Sequence, residues 1–124
     1  MQTNIEGMSF MKVVNLLEEV NQVEQLYVYK KIGRMNGNVF SVVQVQDRTL
    51  DFHVHEHSDE LFYVIEGEFE LETEEGLHKV KAGEFIIVPK GTLHRPVVTS
   101  LAKFLMMEFE GTLNKENSGD LYED

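Results

Sequence analysis

The chain contains no cysteine. A disulfide framework and a thiolate metal site are therefore excluded. The absence fits a reducing compartment, and a cytoplasmic location is the expectation. Proline is scarce, 2 residues in 124, so little interrupts the strand-forming stretches. Basic residues are few as well: 11 Lys and Arg stand against 22 Asp and Glu, a net charge of −11. A surface so acidic repels polyanions, so neither nucleic acid nor an anionic membrane is expected as a partner. Highly anionic substrates are disfavoured too, unless a local basic pocket exists. No apolar run approaches the length of a membrane-spanning helix. The opening MQTNIEGMSF lacks the basic start and continuous apolar run of a signal peptide. No internal repeat of fixed period is present.

What is there points to one domain. The length suits a single unit, and 42% hydrophobic residues suffice for a real core. The chemistry concentrates in residues 51–67, DFHVHEHSDELFYVIEG. Side chains two apart on an extended chain share a face, so His53 and His55 project together, with Phe52 and Val54 opposite. Ser58 and Asp59 favour a turn. Glu60 then opens an apolar strand, and a hairpin of this shape returns it beside the two histidines. Two imidazoles and a carboxylate at close range suit zinc, copper, iron or nickel. A second block, GEFIIVPKGTLH over 83–94, reads as strand, turn and histidine. In an antiparallel barrel His94 can face the first block across the interior and complete a shell of three histidines and one carboxylate.

These two blocks carry a resemblance. The first is similar to cupin motif one, G(X)5HXH(X)3-4E(X)6G, with His53, His55, Glu60 and Gly67 on its fixed positions. The second resembles motif two, G(X)5PXG(X)2H(X)3N, with Gly83, Pro89, Gly91 and His94 in place. Asp47 stands where motif one begins with glycine, and Val98 where motif two ends with asparagine. Neither is a ligand position. The segment between the motifs, 68–82, is short, as in small microbial cupins. The resemblance implies an all-β double-stranded β-helix, the cupin or jelly-roll barrel. It also implies one divalent transition metal (Fe, Mn, Ni, Zn or Co) held by His53, His55, Glu60 and His94.

The rest of the chain is read around that barrel. A lead-in over 1–24 carries Val13, Leu16, Leu17 and Val20 at helical spacing and reads as a short helix covering one barrel edge. The barrel occupies 25–110. A first strand over 25–32 precedes Asn36-Gly37, a hairpin signal, and a returning strand over 39–46. EFELETEEG alternates, so Phe69, Leu71 and Thr73 share one face while the glutamates form a solvated outer face. LAKFLMMEF, 101–109, is apolar on nearly both faces. That pattern implies burial on both sides, with the barrel interior on one and another layer or a second copy of the chain on the other. A homodimer is the expectation. Residues 111–124 read as an acidic flexible tail. Phe62, Val64, Phe85, Ile87 and Met106 or Met107 are candidates to line an apolar pocket, although plain core is the default for such residues. Tyr63 and Arg95 are candidate polar handles at the cavity mouth. Lys90 and His78 read as surface residues. His57 reads as an exposed loop histidine, with a proton-shuttling rim residue as the alternative.

Two function classes follow. One is a metal-dependent enzyme acting on a small oxygen-bearing molecule, by dioxygenase-type or isomerase-type chemistry. The other is a non-catalytic cupin that binds or senses a small, sugar-like molecule. A sugar-phosphate substrate ranks lower, because few basic residues lie within reach. No catalytic residue is assigned.

Overall fold

The structure, a computed structural model, describes residues 11–112 and the backbone of Leu121–Glu123. The first paired element is a hairpin of β1 (Val28–Met35) and β2 (Asn38–Val45). Its turn is Asn36-Gly37, with φ of 53° and 80°. Two consecutive positive φ values are what a two-residue hairpin turn requires, and Asn-Gly meets that demand. The first strand begins later than the sequence suggests, because Tyr27 has φ 64° and no extended chain runs through it.

Eight further strands follow. They are β3 (Arg48–Thr49), β4 (Glu60–Glu66), β5 (Glu68–Thr73), β6 (Gly76–Lys81), β7 (Phe85–Val88), β8 (His94–Val98), β9 (Ala102–Phe109) and β10 (Leu121–Glu123). A six-stranded sheet has the order β10-β1-β2-β9-β4-β7, and a four-stranded sheet the order β3-β8-β5-β6. The pairings are antiparallel except that of β1 with β10. The fold is an all-β double-stranded β-helix with one short helix. Among the described residues no helix is long and apolar enough to cross a membrane.

Strand alternation builds the core. The inner faces of both sheets supply Val43, Val45, Phe62, Val64, Phe69, Leu71, Val98, Phe104 and Met106 to one buried cluster. The rings of Phe62, Phe69 and Phe104 meet at centroid separations of 5.4, 4.6 and 6.2 Å, within the range of favourable aromatic pairs. On β5 the expected split is observed: Phe69 and Leu71 are buried, Glu68 is exposed, and Glu72 pairs with Arg95 at 2.8 Å.

The outer face of the large sheet is covered unevenly. Helix α1 (Leu16–Asn21) starts at an Asn15 cap whose side chain accepts from Glu18 N. It packs Val20 with Val23 onto Val42. Gln44 Nε2 fastens its end by donating to the carbonyls of Val20 and Val23 at 2.9 and 3.0 Å. Val13 precedes the helix and is fully exposed, and Leu17 is exposed as well, so the apolar stripe is shorter than its spacing implies. Strand β9 is not buried on both sides along its length. Phe104, Met106 and Glu108 face inward and are buried, whereas Met107 is half-buried and Phe109 exposed on the outer face. Most of the acidic tail lies outside the described residues. Within it, Leu121–Glu123 pair with Val28–Lys30, where composition alone suggests no strand.

Two turn positions explain the motif pattern. Gly67 has φ +83°, and a Cβ there would overlap the Leu101 carbonyl oxygen and lie 3.0 Å from Ala102 Cα. Both backbone conformation and close approach therefore demand glycine. Asp47, in the place of a motif glycine, has φ 50°. Aspartate is among the few residues that tolerate the left-handed region, so the turn survives the departure. Gly67→Ala is expected to destabilise the protein by about 2 kcal/mol or more, measured by urea unfolding. Asp47→Gly is expected to change stability little in the same experiment.

Candidate metal centre

The site is assembled by backbone pairing. His53 and His94 form an antiparallel bridge, each N–H donating to the other's carbonyl at 3.0 Å. The bridge prolongs the ladder in which Arg48 pairs with Val98 and Thr49 with Val97. His94 is thus the cross-strand neighbour of His53, not a residue facing it across the barrel. Gly91 N donates to the His55 carbonyl at 2.9 Å, so the turn of the second block also holds the first. Lys90 N donates to Asp59 Oδ1 at 2.9 Å. Ser58 Oγ accepts from Phe109 N at 2.8 Å. Together these bonds fix the hairpin that returns Glu60.

The side chains converge. Ring centroids lie 5.0 Å apart for His53 and His55, 4.4 Å for His53 and His94, and 5.6 Å for His55 and His94. Glu60 Oε1 is 3.2 Å from His94 Nε2, and Glu60 Oε2 is 3.7 Å from His55 Nε2. One ligand atom from each of His53, His55, Glu60 and His94 lies within 4.8 Å of the others. Glu60 and His94 are buried. The Nδ1 atoms of His53 and His94 lie 2.9 and 2.8 Å from the carbonyls of Asp51 and Thr92. A carbonyl can only accept, so each Nδ1 carries a proton and Nε2 is the ring nitrogen left to serve as a ligand. His55 Nε2 is buried without a hydrogen-bond partner. Three imidazole nitrogens and one carboxylate directed at one point fit a divalent transition metal.

The electrostatics follow from crowding. Burial lowers the His55 pKa, with the other two histidines adding to the effect and Glu60 opposing it. His94 is also buried, yet its pKa is raised, because the hydrogen bond to Glu60, the Thr92 carbonyl and the Glu60 charge outweigh desolvation. A metal held here would therefore compete with a proton for His94 Nε2.

Sequence reading missed one acid. Glu108 is fully buried on the inner face of β9, and neither carboxyl oxygen has a hydrogen-bond partner. The register that pairs Leu61 with Met107 sets it opposite Glu60. Burial, with the Glu60 charge adding to it, pushes its pKa up to about 9. Its only signal was parity: Phe104 and Met106 face inward, so the acid two further on must as well. Ser41 Oγ, on the neighbouring strand β2, is likewise buried and unpartnered.

Other candidates lie elsewhere. Tyr63 is on the outer face of β4, between inward-facing Phe62 and Val64. Arg95 points outward to Glu72 and stacks on Phe52 at 4.3 Å. Neither serves the site. Phe62, Val64 and Met106 are core, and Phe85 faces solvent. His57 and Lys90 are exposed. His78 is half-buried, 3.2 Å from Thr73 Oγ1. It lines a cavity of about 430 Å³ with Thr73, Ile86, Val88 and Thr92 among others. The cavity adjoins the cluster, for Thr73 pairs with His94 and Val88 with Glu60. Among the described residues, neither the four converging side chains nor any lysine or arginine lines it.

A double-stranded β-helix with three imidazoles and a carboxylate gathered inside it defines a class of metal-capable barrel proteins. The chain belongs to the cupin family: residues 39–108 match the Cupin domain. An uncharacterized protein of Bacillus subtilis (strain 168), YdbB, is 35% identical over 85 residues, spanning 68% of this chain and 74% of that protein. A cupin-2 domain containing protein from Shewanella frigidimarina is 28% identical with a TM-score of 0.74, covering 79% of this chain and 95% of that one. A protein with a double-stranded β-helix domain from Klebsiella pneumoniae shares the fold at 21% identity and a TM-score of 0.65, covering 82% and 92%.

Glu108 makes stability depend on pH. Its folded pKa lies above the ordinary carboxyl value of 4.5, so between the two the unfolded chain releases a proton that the folded chain retains. Stability therefore falls as pH rises through that window and levels off beyond the folded value. In metal-free protein, Glu108→Gln is expected to be stabilising. The gain should grow by up to about 1.4 kcal/mol per pH unit between pH 6 and pH 8, measured by urea unfolding at each pH. A gain that does not change with pH would contradict the assignment.

Proposed function

We propose that this protein binds one divalent transition metal per chain through His53, His55, Glu60 and His94. We further propose that it is a metal-dependent enzyme acting on a small oxygen-bearing molecule. The observation that carries this reading is the orientation of the imidazoles: backbone carbonyls hold the Nδ1 protons of His53 and His94, leaving Nε2 as the ligand nitrogen, and one ligand atom from each of the four residues lies within 4.8 Å of the others. Such a metal supplies Lewis acidity or redox capacity to a bound oxygen function. The residues of the chain do the rest. Glu60 would offset part of the metal's charge, the buried wall excludes water, and four protein donors would leave room for a ligand. Isomerase-type and dioxygenase-type chemistry both fit this arrangement. A binding or sensing role differs from them by the absence of turnover.

Metal analysis of protein purified without a chelating resin is expected to give about one equivalent of transition metal. His94→Ala should weaken metal affinity at least tenfold, while leaving the hairpin of the other ligands in place. Glu60→Gln should keep the fold and shift metal affinity. Less than about a tenth of an equivalent after reconstitution would overturn the reading. Oxygen uptake by iron-loaded protein, or isomerisation of a hydroxy-ketone, separates enzyme from binding module.

The protein is also proposed to be a homodimer. On the outer face of the large sheet, Phe40, Met107, Leu61 and Ile87 form one cross-strand row. Tyr63 and Phe85 extend the next row beyond the reach of α1. Phe85 and Ile87 are 61% and 51% exposed. A contiguous apolar face of this kind favours a partner, and a two-fold axis presents each copy with the same surface. Light scattering at micromolar concentration is expected to give twice the chain mass, and Phe85→Asp with Ile87→Lys the monomer mass. A wild-type monomer would contradict the proposal.

A further inference from the structure

Two buried polar side chains inside the barrel have no role in the metal centre described above. Glu108 and Ser41 are both 0% exposed, and the carboxyl oxygens of one and the hydroxyl of the other lack any hydrogen-bond partner. His55 Nε2 shares that condition, but as a metal donor it has a purpose. Glu108 and Ser41 fall outside the group of converging ligand atoms. Leaving such groups buried and unpaired is costly, and a ligand hydroxyl bound between them would offset that cost.

Their placement says where. Ser41 pairs with Met106, and Val39 with Glu108, so Ser41 and Glu108 are diagonal neighbours on one inner face. Glu108 lies opposite Glu60 by register, and Glu60 pairs with Val88, which lines the cavity of about 430 Å³. That volume falls within the range of small-molecule pockets. A row therefore runs from the orphan carboxyl, past the metal ligand, to the cavity wall. Glu74 and Glu75 also line the cavity. With no lysine or arginine among the described residues that line it, the cavity selects against phosphate and other anions.

We infer that Glu108 and Ser41 form a second polar subsite beside the metal centre that takes a hydroxyl group of the ligand. The ligand class is then a neutral molecule with two oxygen functions, one placed at the metal and a further hydroxyl reaching Glu108. The inference rests on the metal-dependent reading proposed above. It does not rest on the protonation state of Glu108, since either form accepts a hydrogen bond from a hydroxyl. Ser41 Oγ both donates and accepts, so it completes the hydrogen bonding of the same hydroxyl.

Cobalt(II)-loaded protein provides the test, because its visible absorption reports ligands entering the metal's coordination shell. Two probes are compared, hydroxyacetone and dihydroxyacetone, which differ by one hydroxyl at the end remote from a chelating hydroxy-ketone. The wild type is expected to bind dihydroxyacetone about tenfold more tightly. Glu108→Leu should abolish that preference and Ser41→Ala reduce it, whereas Glu108→Gln, which keeps a hydrogen-bonding end, should retain it. All variants should hold cobalt as the wild type does and respond equally to azide, which needs the metal alone. Both Glu108 variants remove a buried ionisable group, so neither is expected to unfold the protein. Equal affinity for the two ketones in the wild type, or a preference that survives Glu108→Leu, overturns the subsite. So does an azide response without a response to either ketone. Failure of azide itself to alter the cobalt spectrum would instead overturn the metal-dependent reading.

Discussion

Two hydrogen bonds between the backbones of His53 and His94 hold this protein's chemistry together. They join the two histidine-bearing stretches at a single bridge. Without that bridge the imidazoles would belong to separate loops. With it, the carbonyls of Asp51 and Thr92 are in place to orient two rings. The Gly91 and Ser58 contacts then close the hairpin that carries Glu60. A metal centre needs donors placed within tenths of an ångström, and backbone pairing gives that precision more cheaply than side-chain packing.

The sequence disclosed the converging side chains but not their surroundings. His53, His55 and Glu60 were legible because alternation and a short turn fix which way near neighbours point. The glutamates of β5 were legible for the same reason. Contacts between distant segments were less so. His94 was expected across the barrel and stands instead on the adjacent strand, because pairing partners are not written in local spacing. Arg95 looked like a handle beside a ligand, yet one residue along a strand is the opposite face. Glu108 was hidden in a stretch, LAKFLMMEF, that reads as apolar on nearly both faces. Asp47 looked like a flaw in the motif until its left-handed backbone showed that the turn was kept.

Glu60 and Glu108 together set the tension in the interior. The chain carries 22 acidic residues, and most can be solvated on outer faces. These two cannot. Glu60 has histidines to share its charge, whereas burial, with the Glu60 charge adding to it, pushes the Glu108 pKa up to about 9. A barrel built for stability alone would carry an apolar residue there. The arrangement locates polar chemistry along one row of the inner face and leaves the phenylalanine cluster to hold the sheets together.

The two sheets end in β6 and β7, which are not paired with one another. At the connecting turn they are stitched down. Ala82 and Gly83 donate to the carbonyls of Gly67 and Val64, and Val64 donates to Glu84. Toward Gly76 and Val88 the seam has no ladder to break. That end of the seam is therefore closed by side chains and not by backbone pairing. Leu77, Ile87 and Leu93 stay exposed along it, and Ile87 and Leu93 border the cavity, so that rim is defined by side-chain size and not by the hydrogen-bonded frame.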